Sequence, residues 1–301
     1  MRKKYRYRLI WVAVALVIIY FFPSPQKTFN GLYHGYPSAQ VDKLYELRAL
    51  PLSTIEVDGE DWRYLSIGKG NRTILFLHGM AGAYDIWWNQ IDALKDGFNI
   101  ISITYPPVDN LADMGKATMA ILDKEKIEKV NVVGTSLGGY FAQYLVATYP
   151  NRVERAVFGN TFPPNTIIEK ENKTNHWLMR IAPHWAVMSA LRTNIKQKVI
   201  PPSGNNEVLK AYLMEGTYRT SRSQLLARYS CVIDKFKPAA NTTIPVLIIE
   251  SNNDPLISPM LRASLKKLYP TAPVVNFGEE GHMPYVNKSK EYSQVLKGFL
   301  R

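Results

Sequence analysis

The sequence predicts an α/β protein: one mostly parallel sheet with helices on both faces, interrupted once by a helical insertion. Three observations carry this. Short apolar runs alternate with amphipathic stretches, the rhythm of strands buried on both sides by crossover helices. That rhythm stops between Phe162 and about Asp234 and then resumes. The run from Val130 to Thr135 also leads straight into Gly134-Thr135-Ser136-Leu137-Gly138 and an apolar helix, which is G-x-S-x-G set between a strand and a helix.

The 301 residues are 46% hydrophobic and 21% charged, a balance that suits one large globular domain with an insertion. Cys231 is the single cysteine, so an intrachain disulfide and a cysteine-rich zinc site are both excluded. The formal net charge is +12, and Arg2, Lys3, Lys4, Arg6 and Arg8 stand in the first eight positions. No basic stripe is interleaved with aromatics, so nucleic acid is not an expected partner. The basic arm suits anionic lipid headgroups instead.

Leu9 to Phe22 is an uninterrupted apolar run ended by Pro23-Ser24-Pro25. It is shorter than the roughly 20 residues a bilayer needs, but Tyr5, Tyr7 and snorkelling arginines would lengthen it. Tyr20, Phe21 and Phe22 are too large for a cleavage site, and Ala13-Val14-Ala15 lies inside the run. The expectation is an uncleaved signal anchor, single-pass, with a cytoplasmic N-terminus and the main domain extracytoplasmic; the alternative is a cleaved signal and secretion. Asn71, Asn172, Asn241 and Asn287 each begin an N-glycosylation triplet, weakly in favour of a secretory route. The organisation expected is an arm and anchor over 1–25, a lead-in over 26–58, and a main domain over 59–301 with a helical lid at about 162–236.

Within the main domain, Trp62–Ile67 and Thr73–Leu77 read as strands around a Gly68-Lys69-Gly70-Asn71 turn. Tyr84–Leu94 reads as a helix, Asn99–Thr104 as a strand and Asp113–Asp123 as a helix. The helix after Ser136 runs to about Tyr149 and stops at Pro150, and Ala156–Gly159 is the next strand. Helical pieces follow near Trp177–Leu191, Glu207–Leu213 and Ser223–Asp234. The chain then closes with the strand Pro245–Glu250, a helix at Met260–Leu268, the strand Val274–Phe277 and a helix at Lys290–Leu300. The Val41–Leu50 stretch is a short lead-in helix.

A serine hydroxyl is a weak nucleophile until a base takes its proton. On such a sheet the order serine, acid, histidine is expected, with acid and histidine after late strands. Asp254 in Asn252-Asn253-Asp254-Pro255 follows the strand ending at Glu250, and His282 in Gly281-His282-Met283 follows the strand ending at Phe277. The assignment is Ser136 as nucleophile, His282 as base and Asp254 as the carboxylate that orients it. The backbone N–H groups of Met80 and Leu137 are the expected oxyanion donors. Glu250 and Asp234 are rival acids, one inside a strand and one in the insertion. The other histidines, His34, His78, His176 and His184, lie outside the required position. None of these residues has metal-ligand spacing, and no G-x-G-x-x-G follows the first strand, so no nicotinamide site is expected.

His78-Gly79, the 134–138 turn, Asn252–Pro255 with Pro259, and Gly281-His282 resemble the α/β-hydrolase superfamily over roughly residues 60–301. Asp85–Trp88, Tyr105-Pro106, Thr135–Gln143, Asn160–Phe162, Leu268–Pro270 and Pro284-Tyr285 resemble, more narrowly, its maspardin-like members. The superfamily implies cofactor-free hydrolysis of esters, thioesters, amides or lipids. Maspardin-like members are regarded as binding proteins whose triad lacks the histidine, whereas this chain has Gly281-His282. Two readings follow: a membrane-anchored serine hydrolase acting on a carboxylic or acyl ester, or a catalytically silent binding protein. Haloperoxidase- or lyase-type chemistry on the same residues is a third. For substrate contacts the insertion offers Phe162, Trp177, Trp185 and Tyr229, with Met179 and Met188, as an apolar acyl pocket.

Overall fold

The computed structural model describes residues 2–23, 27–36 and 38–301. Eight strands form one sheet: β1 (Ser53–Val57), β2 (Glu60–Gly68), β3 (Thr73–Leu77), β4 (Asn99–Thr104), β5 (Val130–Thr135), β6 (Val153–Gly159), β7 (Val246–Glu250) and β8 (Val274–Asn276). Their spatial order is β1-β2-β4-β3-β5-β6-β7-β8; β2 pairs antiparallel with both β1 and β4, and the other neighbours pair in parallel. Every residue of β3, β5 and β7 is buried, as central strands covered on both faces must be.

The helices are α1 (Arg2–Tyr20), α2 (Phe29–Tyr33), α3 (Ser38–Arg48), α4 (Trp88–Leu94), α5 (Leu111–Lys124), α6 (Leu137–Thr148), α7 (Ile167–Ile181), α8 (His184–Asn194), α9 (Glu207–Arg219), α10 (Arg222–Ile233), α11 (Pro259–Leu268), α12 (Pro284–Asn287) and α13 (Ser289–Phe299). Alternate strand residues divide the core. Ile74, Phe76, Ile100, Val133, Val157 and Ile249 pack under α3, α4 and α13. Leu75, Leu77, Ile101, Val132, Ala156 and Ile248 pack under α5, α6 and α11. Period-two alternation in the strands thus builds two apolar layers on one sheet.

Strand β1 was not foreseen in the lead-in. Asp58 (φ 53°) and Gly59 (φ 83°) make the tight turn that pairs Val57 with Glu60. Both central residues are left-handed, which is why Asp-Gly suits this hairpin. Helix α3 is likewise part of the domain's packing. Leu44 is fully buried, and Arg48 reaches Asp85 at 2.6 Å and Glu215 at 2.8 Å. Tyr33 donates to the same Glu215 at 2.8 Å, and Tyr212 to Asp85.

Helices α7 to α10 lie between β6 and β7. They reach the carboxyl edge of the sheet through Arg228 on α10, whose guanidinium donates to the carbonyls of Met80 (2.7 Å), Gly82 (3.1 Å) and Tyr105 (3.3 Å). Where one helical piece was expected over Trp177–Leu191, two helices meet at Ala182-Pro183, because Pro183 cannot continue a helix.

The expected transmembrane span is not met. Among the described residues, no helix is long and apolar enough to cross a membrane. Helix α1 begins in the basic arm and ends at Tyr20, before the apolar run is complete. Its apolar part from Leu9 is about 18 Å long at 1.5 Å per residue, against a hydrocarbon core of about 30 Å. Ser24, Pro25 and Gln26, where the arm was expected to give way to the lead-in, lie outside the described residues.

Candidate active site

Ser136 sits at the turn between β5 and α6 with φ 54° and ψ −122°, a conformation that costs a non-glycine residue about 1–3 kcal/mol. The surroundings hold it there. Its N–H donates to Gly159 at 3.0 Å, and its carbonyl accepts from Tyr140 N–H at 2.9 Å and the Thr161 hydroxyl at 2.7 Å. The flanking glycines are dictated by clearance. A Cβ on Gly134 would lie 2.1 Å from the Gly138 carbonyl oxygen, and one on Gly138 would lie 2.1 Å from that of Leu77. The spacing G-x-S-x-G therefore records two backbone crossings, one against α6 and one against β3.

Asp254 follows β7 and His282 follows β8, and the two are in contact. His282 Nδ1 lies 3.0 and 2.9 Å from the Asp254 carboxylate oxygens, both residues being buried. The carboxylate also accepts from the N–H groups of Leu256 (2.9 Å) and Ile257 (3.1 Å) and from the Asn160 amide (2.9 Å). Burial alone would raise the Asp254 pKa. His282, the Asn160 amide and the Leu256 N–H outweigh it and hold the carboxyl below the ordinary aspartate range.

Asn160 is a residue whose part sequence reasoning missed. It follows Gly159, which binds the Ser136 N–H, and its own N–H donates to Ile249 at 2.7 Å. Its side-chain amide donates to Asp254 and, at 3.3 Å, to the carbonyl of Gly281 beside His282. One residue with φ 39° thus ties the serine turn to the acid and histidine loops. The signal was present as a strand ending in Gly159-Asn160, since asparagine tolerates the left-handed region. Among the described residues, no hydrogen bond joins the Ser136 hydroxyl to the His282 ring. Such contacts are often long in ligand-free enzymes and tighten when substrate binds.

The loop after β3 runs against the serine. A Cβ on Gly79 would lie 3.1 Å from Ser136 Cβ. His78 is buried, with Nδ1 2.7 Å from the Gly79 carbonyl and Nε2 accepting from Tyr105 N–H at 3.3 Å. Burial, with Arg228 nearby, pulls its pKa well below the ordinary value, so the ring is neutral and Nδ1 carries the proton. His78 is thus a strut of this loop. Met80 turns its carbonyl to Arg228 and packs its side chain with Val187, Met188 and Leu225. Leu137 opens α6, where an N–H has no partner within the helix. Arg228 was missed because nothing in the local sequence links residue 228 to residue 80.

The residues expected to line an acyl pocket do not gather. Phe162 is buried against Tyr140 with ring centroids 5.0 Å apart, and Tyr229 is buried in a stack on His176 at 4.4 Å. Trp185 donates from its indole to the Ile19 carbonyl at 2.8 Å. Trp177 is 58% exposed on the outside of α7 and encloses no pocket. This tryptophan, offered as a pocket residue, stands instead on the outer face of α7. Of the rival acids, Glu250 pairs with Lys266 at 2.7 Å and Asp234 accepts from the Leu111 N–H at 2.8 Å. Among the described residues, no three His, Cys, Asp or Glu side chains form a metal-binding group.

A strained serine between a parallel strand and a helix, with an acid–histidine pair after the last two strands, decides the fold type. The fold is that of the α/β hydrolases. The alpha/beta hydrolase fold family matches residues 72–187. The chain is similar to maspardin of Danio rerio, 27% identical over 263 residues, covering 84% of this chain and 83% of that one. It is similar to the esterase YbfF of Escherichia coli K12, 22% identical over 239 residues, 76% of this chain and 93% of the other. A solved hydrolase from Pseudomonas aeruginosa PA01 superposes with a TM-score of 0.72 at 21% identity, covering 84% of this chain and 99% of that one.

Proposed function

We propose that this α/β-hydrolase-fold chain is a serine hydrolase that cleaves a carboxylic ester through an acyl-enzyme. The observation that carries the reading is the buried Asp254–His282 contact at 2.9 Å, tied through Asn160 to the turn that holds Ser136 at φ 54°. The Asp254 carboxylate fixes the proton on Nδ1 and leaves Nε2 free to accept. His282 takes the Ser136 proton as Oγ bonds to the ester carbon. The carbonyl oxygen becomes an oxyanion facing the N–H groups of Leu137 and Met80. Losing one such donor typically costs about 2.7–4 kcal/mol of barrier lowering. Collapse breaks the bond to the alcohol oxygen, which leaves with the proton from His282. Water, deprotonated by the same imidazole, then releases the acid and restores Ser136.

The similarity to an esterase supports an ester substrate. Attachment to a membrane surface through α1 belongs to the same proposal; the basic arm before the apolar run is its support. Turnover of p-nitrophenyl esters of graded chain length, with Ser136→Ala as the blank, tests the chemistry. The expected result is turnover lost in Ser136→Ala and His282→Ala. Folded wild-type protein without turnover favours the silent binding protein instead. Retention of the chain in sedimented membranes tests the attachment.

A further inference from the structure

The C-terminal end of α7, together with α1, is more apolar than a water-facing surface should be. No residue of α7 is buried, although the helix runs from Ile167 to Ile181. Trp177, Leu178 and Ile181 are 58%, 44% and 48% exposed. The C-terminal end of α7 meets the foot of α1. Arg222 donates to the Met179 and Ala182 carbonyls and to the Tyr20 hydroxyl, and Trp185 donates to Ile19. Leu9, Trp11, Leu16, Phe21 and Phe22 of the N-terminal stretch are each at least 60% exposed. Exposed apolar groups in this number, on adjoining elements, mark an interaction surface.

The charge is as uneven as the apolarity. Residues 162–236 hold eleven basic and five acidic side chains, and the first eight residues hold five basic and no acidic ones. These two stretches carry +11 of the chain's +12, so the rest of the domain is almost neutral. On and after α7, Lys170, Lys173, Arg180, Lys196 and Lys198 are exposed, against Glu169 and Glu171 as exposed acids of α7. On the helical wheel Lys170 and Lys173 share a flank with Trp177 and Ile181. Tryptophan and aliphatic groups bordered by long cations match a bilayer interface, where apolar groups enter and lysines remain at the headgroups. A protein partner would need complementary shape, whereas a lipid surface needs only this charge and apolarity.

We propose that the α7 face bearing Trp177, Leu178 and Ile181, continuous with α1, docks on a bilayer surface rich in anionic lipid. Docking sets the α7–α10 insertion, and so the mouth of the site it covers, against the leaflet. This gives the serine hydrolase proposed above an ester dissolved in lipid. The inference deepens that reading but is measured separately from it.

The test uses the full chain with Leu178→Cys carrying an environment-sensitive fluorophore. Cys231 is buried and stays unlabelled. Vesicles of phosphatidylglycerol and phosphatidylcholine should shift the probe's emission to the blue, with little shift on pure phosphatidylcholine. The double variant Leu178→Glu/Ile181→Glu should keep its turnover of a soluble ester. Its turnover of an ester embedded in the mixed vesicles should fall by about tenfold. An unshifted probe on vesicle-bound protein overturns the proposal, because α1 alone then holds the chain. A shift without vesicles, accompanied by dimerisation, overturns it in favour of a second copy. An equal shift on both vesicle types overturns the anionic preference. The fluorescence needs no turnover, so an inactive wild type would sink the hydrolase reading and leave docking standing.

Discussion

The strain at Ser136 offers a direct test of the site's construction. With φ 54° and ψ −122°, the residue occupies a region that costs a side chain about 1–3 kcal/mol, and glycine escapes that cost. Ser136→Ala and Ser136→Gly both remove the hydroxyl and keep the backbone bonds to Gly159, Tyr140 and Thr161. They differ in relief of strain, opposed by glycine's greater chain entropy when unfolded, about 0.5–1 kcal/mol. The balance favours glycine by about 1 kcal/mol. For a chain of this size that raises the melting temperature by about 2 °C. Urea unfolding and calorimetry of the two inactive variants measure the difference. Equal stability, or a more stable alanine variant, would refute the claim that the fold holds this residue in strain.

Three further predictions concern Asp254, Asn160 and Arg48. Asp254→Asn should fold and lose about 10³–10⁴-fold in turnover, read by stopped-flow or steady-state assays, because the wrong nitrogen of His282 then carries the proton. Asp254 has a folded pKa below its unfolded value, so its contribution to stability is full above about pH 4 and fades as pH falls through the folded value. Asn160→Ala should therefore lie below wild type in unfolding free energy at pH 7, and the gap should narrow below about pH 4. Arg48→Met breaks its pairs with Asp85 and Glu215 while Arg219 stays 3.1 Å from Asp85, and should cost about 1.5–3 kcal/mol in denaturant titrations.

What the sequence made legible was the part dictated by local clearance. Gly134 and Gly138 stand where a Cβ would strike backbone, so the turn around Ser136 could be recognised from spacing. Asp254 and His282 could be placed because each follows a strand in a fixed order. What escaped depended on distant pairing. The strand β1 was hidden by short length, although Asp58-Gly59 is a strong hairpin signal. Asn160 and Arg228 act across 94 and 148 residues, on Asp254 and Met80, a separation that no periodicity encodes. Trp177 was misplaced because its position in the insertion does not say which face of α7 the rest of the chain covers. The span expected from Leu9–Phe22 is not met because the basic arm forms the start of α1 and leaves an apolar part too short to cross.

The account rests on the reactivity of one hydroxyl, and covalent labelling measures that reactivity most directly. Folded wild-type protein treated with a fluorophosphonate should gain one adduct, located by peptide mass spectrometry on Ser136. Labelling should vanish in Ser136→Ala and slow sharply in His282→Ala. An adduct on another residue, or a labelling rate at Ser136 indifferent to the loss of His282, would contradict it.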